Sequence, residues 1–353
     1  MALHNRVEGR VLKEKMKAAP EARTTISFYK YHHISDPQEF RDTLYRGLES
    51  LSVLGRIYVA HEGINAQISV PSDKIELFKS YLDSTGWLKN VRLNIAVDDN
   101  GKSFFKLKIL IRKKIVADGL NDETFDVTNC GTHVNASEFN RLADDPETVI
   151  VDMRNHYESE VGHFKNAVCP DVDTFREELH VVEQLMHDQK DKKLLMYCTG
   201  GIRCEKASSW MKHQGFTNVF QLEGGIIKYS QDVKALGLEN KFIGKNFVFD
   251  ERLGERITDD IISVCHQCGT ACDDHTNCKN DVCHLLFIQC KACAEKYNGC
   301  CSEECNEIVL MPHEQQKEIR KGINKGRQVF KKGRSEKILH TKDRQNNDSN
   351  SNP

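Results

Sequence analysis

Cys198 and Arg203 bracket four residues, Thr199, Gly200, Gly201 and Ile202, where an apolar run (Leu194-Leu195-Met196-Tyr197) gives way to the helix-like segment from Cys204 to Met211. A thiol leaving a buried strand, glycines that let backbone N–H groups turn inward and an arginine opening a helix make an anion cradle around one sulfur. Such surroundings favour a thiolate, or hold a persulfide, and a thiolate is a strong nucleophile. Cys198 and Arg203 are therefore the candidate catalytic pair, and Thr199, Gly200, Gly201 and Ile202 form the loop that shapes the cradle. The plainer alternative is a small buried cysteine beside an ordinary strand-to-helix turn. Cys204 also has two readings, a thiol that resolves an oxidised Cys198 or a structural one.

A second chemistry is concentrated near the carboxyl terminus. Of the 14 cysteines, ten fall between Cys265 and Cys305, and their CxxC spacings favour metal over disulfides. Cys265-His266-Gln267-Cys268 and Cys290-Lys291-Ala292-Cys293 each bring two thiolates onto one ion, so Cys265, Cys268, Cys290 and Cys293 are expected to form one site. Cys278, Cys283, Cys301 and Cys305 are expected to form a second, with Cys272, Cys300, His266, His275 and His284 able to exchange into either. Structural zinc, one or two ions, is the preferred occupant; an iron–sulfur cluster also takes four thiolates, and paired zincs also suit a RING-like module that recruits a protein. A cluster of bare reactive thiols would oxidise. Closed four-thiolate sites leave no open position, so they hold the fold rather than react.

These groups need elements to position them. Residues 1–22 read as a charged leader. Thr24–Tyr31 reads as a strand, Asp36-Pro37 starts a helix running to about Ser52, Arg56–Ala60 and Asn65–Val70 are strands joined through His61-Glu62-Gly63-Ile64, a helix follows to Asp83, and Val91–Val97 is a further strand. The order βαββαβ predicts a ferredoxin-like plait over 23–118. Phe104–Val116, studded with Lys106, Lys108, Arg112, Lys113 and Lys114, is expected to be an extended strand with a basic face: a lysine-protected edge or a nucleic-acid patch. From 119 to 236 strands and helices alternate, which predicts a parallel sheet wrapped by helices, with the Cys198 loop at a strand's carboxyl end. A linker and the cysteine-rich module occupy 237–312. A basic helix and a polar tail close the chain over 313–353, with Lys317, Arg320, Lys321, Lys325, Arg327, Lys331, Lys332, Arg334 and Lys337 in the helix region.

A net charge of −2 over 353 residues excludes a uniformly basic nucleic-acid coat, though not a local patch. The amino terminus lacks the apolar core of a secretion signal, and no run approaches the roughly 18 apolar residues of a membrane span, so a soluble cytoplasmic protein with no membrane partner is expected. No signature of oligomeric state is present.

Val149-Ile150-Val151-Asp152-Met153-Arg154, Glu158, Gly162–Ala167, the Cys198 loop and Leu222-Glu223-Gly224-Gly225-Ile226 follow one another in an order that resembles a rhodanese domain over about 145–230. In that superfamily four residues between cysteine and arginine enclose a sulfur, whereas the related phosphatases use five; the resemblance thus implies sulfur-type chemistry. With Val59–Ala66, the stretch Phe247-Val248-Phe249-Asp250-Glu251-Arg252 and the cysteine-rich tail, nearly the whole chain resembles the rhodanese-type tRNA uridine hydroxylases. That family resemblance implies an α/β multidomain protein composed of the plait, a rhodanese-like parallel α/β domain and a cysteine-rich metal-binding carboxyl-terminal module. It implies oxygen-dependent conversion of the wobble uridine of tRNA to 5-hydroxyuridine, with molecular oxygen as co-substrate and tRNA as partner. Cys198 would add to C6 of uracil or carry a persulfide. Arg154 is a candidate for substrate contact, with packing beside the loop as its other reading. No GxGxxG loop follows a strand, so no flavin or nicotinamide motif is present. His156, Glu158 and His163 have the residue types of a non-haem iron triad. A persulfide sulfurtransferase and a non-enzymatic tRNA- or protein-binding adaptor are the rival functions.

Overall fold

The structure is a computed structural model that describes Leu12, Glu14, residues 21–99, 101–121 and 125–322, and Ile338. Most of the expected leader and of the tail, and the basic residues from Lys325 to Lys337, therefore lie outside the described residues. The first sheet comprises β1 (Arg23–Tyr31), β2 (Leu54–Ala60), β3 (Gly63–Pro71), β4 (Asn94–Ile95) and β5 (Leu107–Ile111), in the order β4-β1-β3-β2-β5. The first four strands give the plait order, and β5 adds to it parallel to β2. Alternation builds the sheet's two faces: Phe28, Ile57 and Ile68 point to a core with Leu44, Leu48, Phe78 and Leu82 from the two helices, while polar residues take the other face. Asp36 accepts from the N–H groups of Gln38 and Glu39, both at 2.9 Å, and so starts the helix Pro37–Ser50. β4 is shorter than the expected Val91–Val97 because its flanks bond elsewhere, Arg92 to Glu223 and the Val97 N–H to Glu255.

The second sheet, β6 (Thr132–Val134), β7 (Thr148–Asp152), β9 (Lys193–Tyr197) and β10 (Val219–Leu222), is parallel in the order β6-β10-β9-β7. Leu194, Leu195, Met196 and Tyr197 are fully buried, as a strand covered on both faces requires. β8 (Gly162–Phe164) pairs with β11 (Phe242–Asn246), and β12 (Glu255–Arg256) completes a three-stranded sheet. The stretch expected to be linker is thus hydrogen-bonded to the parallel α/β domain, since its alternating Phe242, Gly244 and Asn246 are buried there. Beyond it, a hairpin of β13 (His275–Asn277) and β14 (Leu286–Ile288) and the helices Lys291–Lys296, Glu303–Leu310 and His313–Arg320 carry the cysteines.

The two sheets are clamped together. Lys206, one turn into the helix that follows the Cys198 loop, is buried against Glu62 at 2.9 Å and Asp118 at 2.7 Å. Glu62 sits in the β2–β3 turn and also accepts from the Ile115 N–H at 2.6 Å. Tyr29 of β1 donates to Glu205 at 2.8 Å, and Asn94 of β4 donates to the Gly200 carbonyl at 3.3 Å.

Candidate active site and metal centres

Cys198 follows the last residue of β9 and is 1% exposed. Its Sγ accepts from the Gly201 N–H at 3.1 Å, and the helix Ile202–His213 points its amino-terminal end at the sulfur. Burial pushes this thiol up, but the Cys204 thiol, the Arg203 guanidinium and the N–H groups of Cys204 and Arg203 hold it lower, at about 6. Cys204 is itself raised by burial and by the Cys198 sulfur, so it remains the protonated partner of the pair. Arg203 is held flat by two bonds to Glu158, at 2.7 and 2.8 Å, and also reaches Thr199 Oγ1 at 3.3 Å. Phe249 closes the outer side of the guanidinium, 6.0 Å from ring centroid to Arg203 Cζ.

Two glycines make the loop possible. Gly201 has φ +99°, and a Cβ there would lie 2.8 Å from the Tyr29 hydroxyl. Gly225, at φ +65°, underlies the loop so closely that a Cβ would lie 2.5 Å from Cys198 O, 2.6 Å from Thr199 O and 2.7 Å from Gly200 N. The N–H groups of Ile226 and Ile227 bond the carbonyls of Cys198 and Thr199 at 3.0 and 3.2 Å, so the loop's outer oxygens are tied down while its N–H groups face the sulfur.

Cys198, Thr199, Gly200, Ile202 and Arg203 line a cavity of about 1240 Å³ that also takes in the polar face of the plait. Arg154 is not among its walls. Contrary to the expectation of a substrate contact, it is fully buried, bonded twice to Asp152 at 2.8 and 2.6 Å and once to the Gly162 carbonyl at 2.6 Å, between the rings of Tyr197 and Phe242. Through Nε and Nη2 this guanidinium braces the strand ends beneath the loop. Nor do His156, Glu158 and His163 converge: Glu158 is taken by Arg203, His156 Nδ1 faces Val172 O and Asp173, and His163 Nδ1 faces Phe164 O.

Sequence reasoning missed the contribution of the plait and of Glu178. Glu178, in the helix Phe175–Leu185, is completely buried and neither carboxyl oxygen has a hydrogen-bond partner among the described residues. Burial pushes it well above the carboxylate range, only partly countered by Arg203. A glutamate beside a second glutamate in an acidic helix start carries no local sign of this. The plait's contribution was signalled in the alternation of β2 and β3, which leaves Arg56, Tyr58, Asn65 and Gln67 on the face away from the core.

The thiols of Cys265, Cys268, Cys290 and Cys293 gather within 4.8 Å of one another, and so do those of Cys278, Cys283, Cys301 and Cys305. Neighbouring sulfurs lie 3.6 Å apart for Cys268–Cys290 and for Cys283–Cys301, and 3.8 Å apart for Cys301–Cys305. A tetrahedron with 2.3 Å metal–sulfur bonds has edges of about 3.8 Å, so these spacings fit one ion per group. They exceed the ~2.05 Å of a disulfide and are too close for four thiolates each on a separate iron of a cubane cluster. N–H groups of Cys290 and Cys301 point at Cys265 Sγ and Cys278 Sγ, at 3.3 and 3.4 Å, which spreads thiolate charge into the backbone. His266 is turned to Glu160 at 2.9 Å, His275 packs on Phe247, and His284 faces Asp281, so none of them joins either group. A third convergence, Cys130, His133 and Glu205, lies at the junction with Tyr29. In the basic helix, Lys317, Arg320 and Lys321 are paired with Glu314, Asp281 and Glu318. No helix among the described residues is long and apolar enough to cross a membrane.

Three family models match the chain: a UPF0176 acylphosphatase like domain over 23–115, a rhodanese-like domain over 135–232 and a rhodanase C-terminal domain over 243–306. A protein of Enterobacter sp. (strain 638) named tRNA uridine(34) hydroxylase is 58% identical over 341 residues, 96% of this chain and 97% of that one. Proteins of the same name from Escherichia fergusonii and Salmonella typhimurium are each 57% identical over 333 residues, 94% of this chain and 95% of theirs.

Proposed function

Because the chain belongs to the family of tRNA uridine(34) hydroxylases, we propose that it hydroxylates C5 of the wobble uridine of tRNA, with Cys198 as the attacking group. The observation that carries the reading is a buried thiol lowered to about 6 in a cradle that opens on a cavity far larger than a small sulfur donor needs. At neutral pH Cys198 is mostly thiolate. Its Sγ adds to C6 of uracil, the C5=C6 electron pair moves to C5, and C5 becomes the nucleophile toward oxygen. Loss of the C5 proton and departure of the thiolate then restore the ring. The net change consumes one O₂, two electrons and two protons and yields one C5 hydroxyl and one water, the electrons coming from an external two-electron donor of the dithiol class.

Arg203 keeps the sulfur anionic before attack and receives it again on departure, and Glu158 fixes the guanidinium for both events. Cys265, Cys268, Cys290 and Cys293, and likewise Cys278, Cys283, Cys301 and Cys305, would each hold one zinc ion, which would supply cohesion rather than chemistry. The place of work is the cytoplasm, where tRNA is found.

Nucleoside analysis of tRNA from cells lacking the protein tests the reading. 5-Hydroxyuridine and its derivatives should be lost, restored by the wild type and not by Cys198→Ser. Full modification with Cys198→Ser would remove the covalent role, and unchanged tRNA in the deletion strain would remove the function.

A further inference from the structure

The register of the plait draws a line of polar side chains from the catalytic loop to an open edge. Asn94 of β4 pairs with Ser27 of β1, Ser27 with Gln67 of β3, Gln67 with Arg56 of β2 and Arg56 with Lys108 of β5. Residues directly opposite across strands share one face of a sheet, and this is the face turned away from the plait's helices. Four strand spacings of about 4.8 Å make the line roughly 19 Å long. Its inner end is in contact with the loop, since Asn94 donates to the Gly200 carbonyl at 3.3 Å. At its outer end, Arg56 and Lys108 are exposed.

Beside it runs a second row, Tyr29, Asn65 and Tyr58. The Arg112 guanidinium lies over the Tyr58 ring, 5.6 Å from its centroid. Arg56, Lys108 and Arg112 have no acidic partner among the described residues, although acidic groups engage Lys114 and Lys206 nearby. Three uncompensated cations on a polar sheet, two of them, Arg56 and Arg112, at the wall of a cavity that exceeds the ~300–1,000 Å³ of ordinary small-molecule pockets, call for an extended polyanion. An open sheet carrying aromatic and guanidinium planes is also a surface on which unpaired bases stack.

We propose that this face binds the unpaired nucleotides that flank the target base: their phosphates on Arg56 and Lys108, and one unstacked base on the Arg112 plane that Tyr58 supports. The proposal rests on tRNA being the substrate. It assigns to the plait the task of leading a single-stranded loop along the sheet until the target base lies over Cys198. A duplex stem offers no free base to Arg112, and an apolar peptide has nothing to match the charged row.

The test uses full-length protein carrying Cys198→Ser, and a fluorescein-labelled anticodon stem-loop whose binding is followed by anisotropy at several salt concentrations. Adding Arg56→Gln and Lys108→Gln should weaken binding about tenfold or more and flatten the slope of log K against log salt by about 1.4, two single-strand phosphate contacts at ~0.7 each. Tyr58→Ala should weaken binding about tenfold with the slope unchanged. With Cys198 in place, the same changes should raise KM for tRNA more than they lower kcat. Thermal melting, unchanged for these surface positions, separates lost contact from lost fold. Parent-like affinity and slope in folded variants would overturn the proposal while leaving the hydroxylase reading intact. A wild-type protein that neither binds the stem-loop nor modifies tRNA would overturn both.

Discussion

Arg203 meets Glu158 through two parallel hydrogen bonds of 2.7 and 2.8 Å, in a place where Glu158 is wholly buried and Arg203 nearly so. The pair fixes a positive charge beside the Cys198 sulfur, so its removal should be read out at the sulfur. Alkylation of Cys198 by iodoacetamide should rise through pH about 6 and level off above it, because the lowered thiol is deprotonated on the alkaline side of that value. In Glu158→Gln the guanidinium loses its charged anchor, and in Arg203→Ala the charge itself goes. The alkylation midpoint in Arg203→Ala should move upward toward the ordinary thiol range. An unmoved midpoint would mean that Arg203 does not tune the thiolate.

Lys206 is a buried cation that joins the β2–β3 turn to the loop helix. Replacing it by methionine keeps the stem but takes from buried Asp118 one of its two lysines, leaving Lys114, and removes the cation held by Glu62; the expected cost is about 3 kcal/mol, the low end of what a fully broken buried pair costs. Urea unfolding should show the loss in the midpoint, and hydroxylation should fall with it because the plait no longer seats against the loop. A midpoint within experimental error of wild type would contradict this account.

Glu178 gives a prediction of the opposite sign. Burial raises its carboxyl well above the usual range, so it is protonated in the folded protein where the unfolded chain would release the proton. Folding then takes up a proton, and this group's contribution to stability falls as pH rises above the unfolded carboxylate value. Glu178→Gln removes that dependence while preserving shape. Its melting temperature should exceed that of wild type at pH 7, and the difference should shrink as the pH approaches 4.

The two thiolate groups predict two metal ions per chain, zinc, in a colourless protein. Elemental analysis should give a stoichiometry near two, and Cys265→Ser and Cys301→Ser should each lower it by about one. Cys265 and Cys301 are both buried in apolar clusters, so the two losses should be similarly disruptive. Strong chelation should melt the carboxyl-terminal module before the α/β domain, as limited proteolysis would reveal. Iron in place of zinc, or an absorption band in the visible range, would contradict the assignment.

What was legible in the sequence was local. Asp36-Pro37 marks a helix start because the cap and the first turn lie within four residues, and Leu194–Tyr197 reads as a buried strand because all its side chains are apolar. The cradle was readable for the same reason, since the glycines and Arg203 sit within one turn of Cys198. Contacts between distant segments leave no such mark. Asn94 and Gly200 are 106 residues apart, and Lys206 and Glu62 are 144 apart, with no periodicity to join them. Arg154 was open to two readings, a substrate contact or packing beside the loop; only the third dimension brings it Asp152, Gly162 and two aromatic rings. β11 was hidden by its Gly and Lys residues, which read as connection until β8 supplies a partner.

Gly225 lies so close under the loop that one added carbon would collide with three backbone atoms of residues 198–200. Engineering this enzyme for other bases thus has a hard boundary: the walls of the cavity, drawn from the plait, are open to redesign, whereas the floor beneath the sulfur tolerates nothing larger than a hydrogen atom.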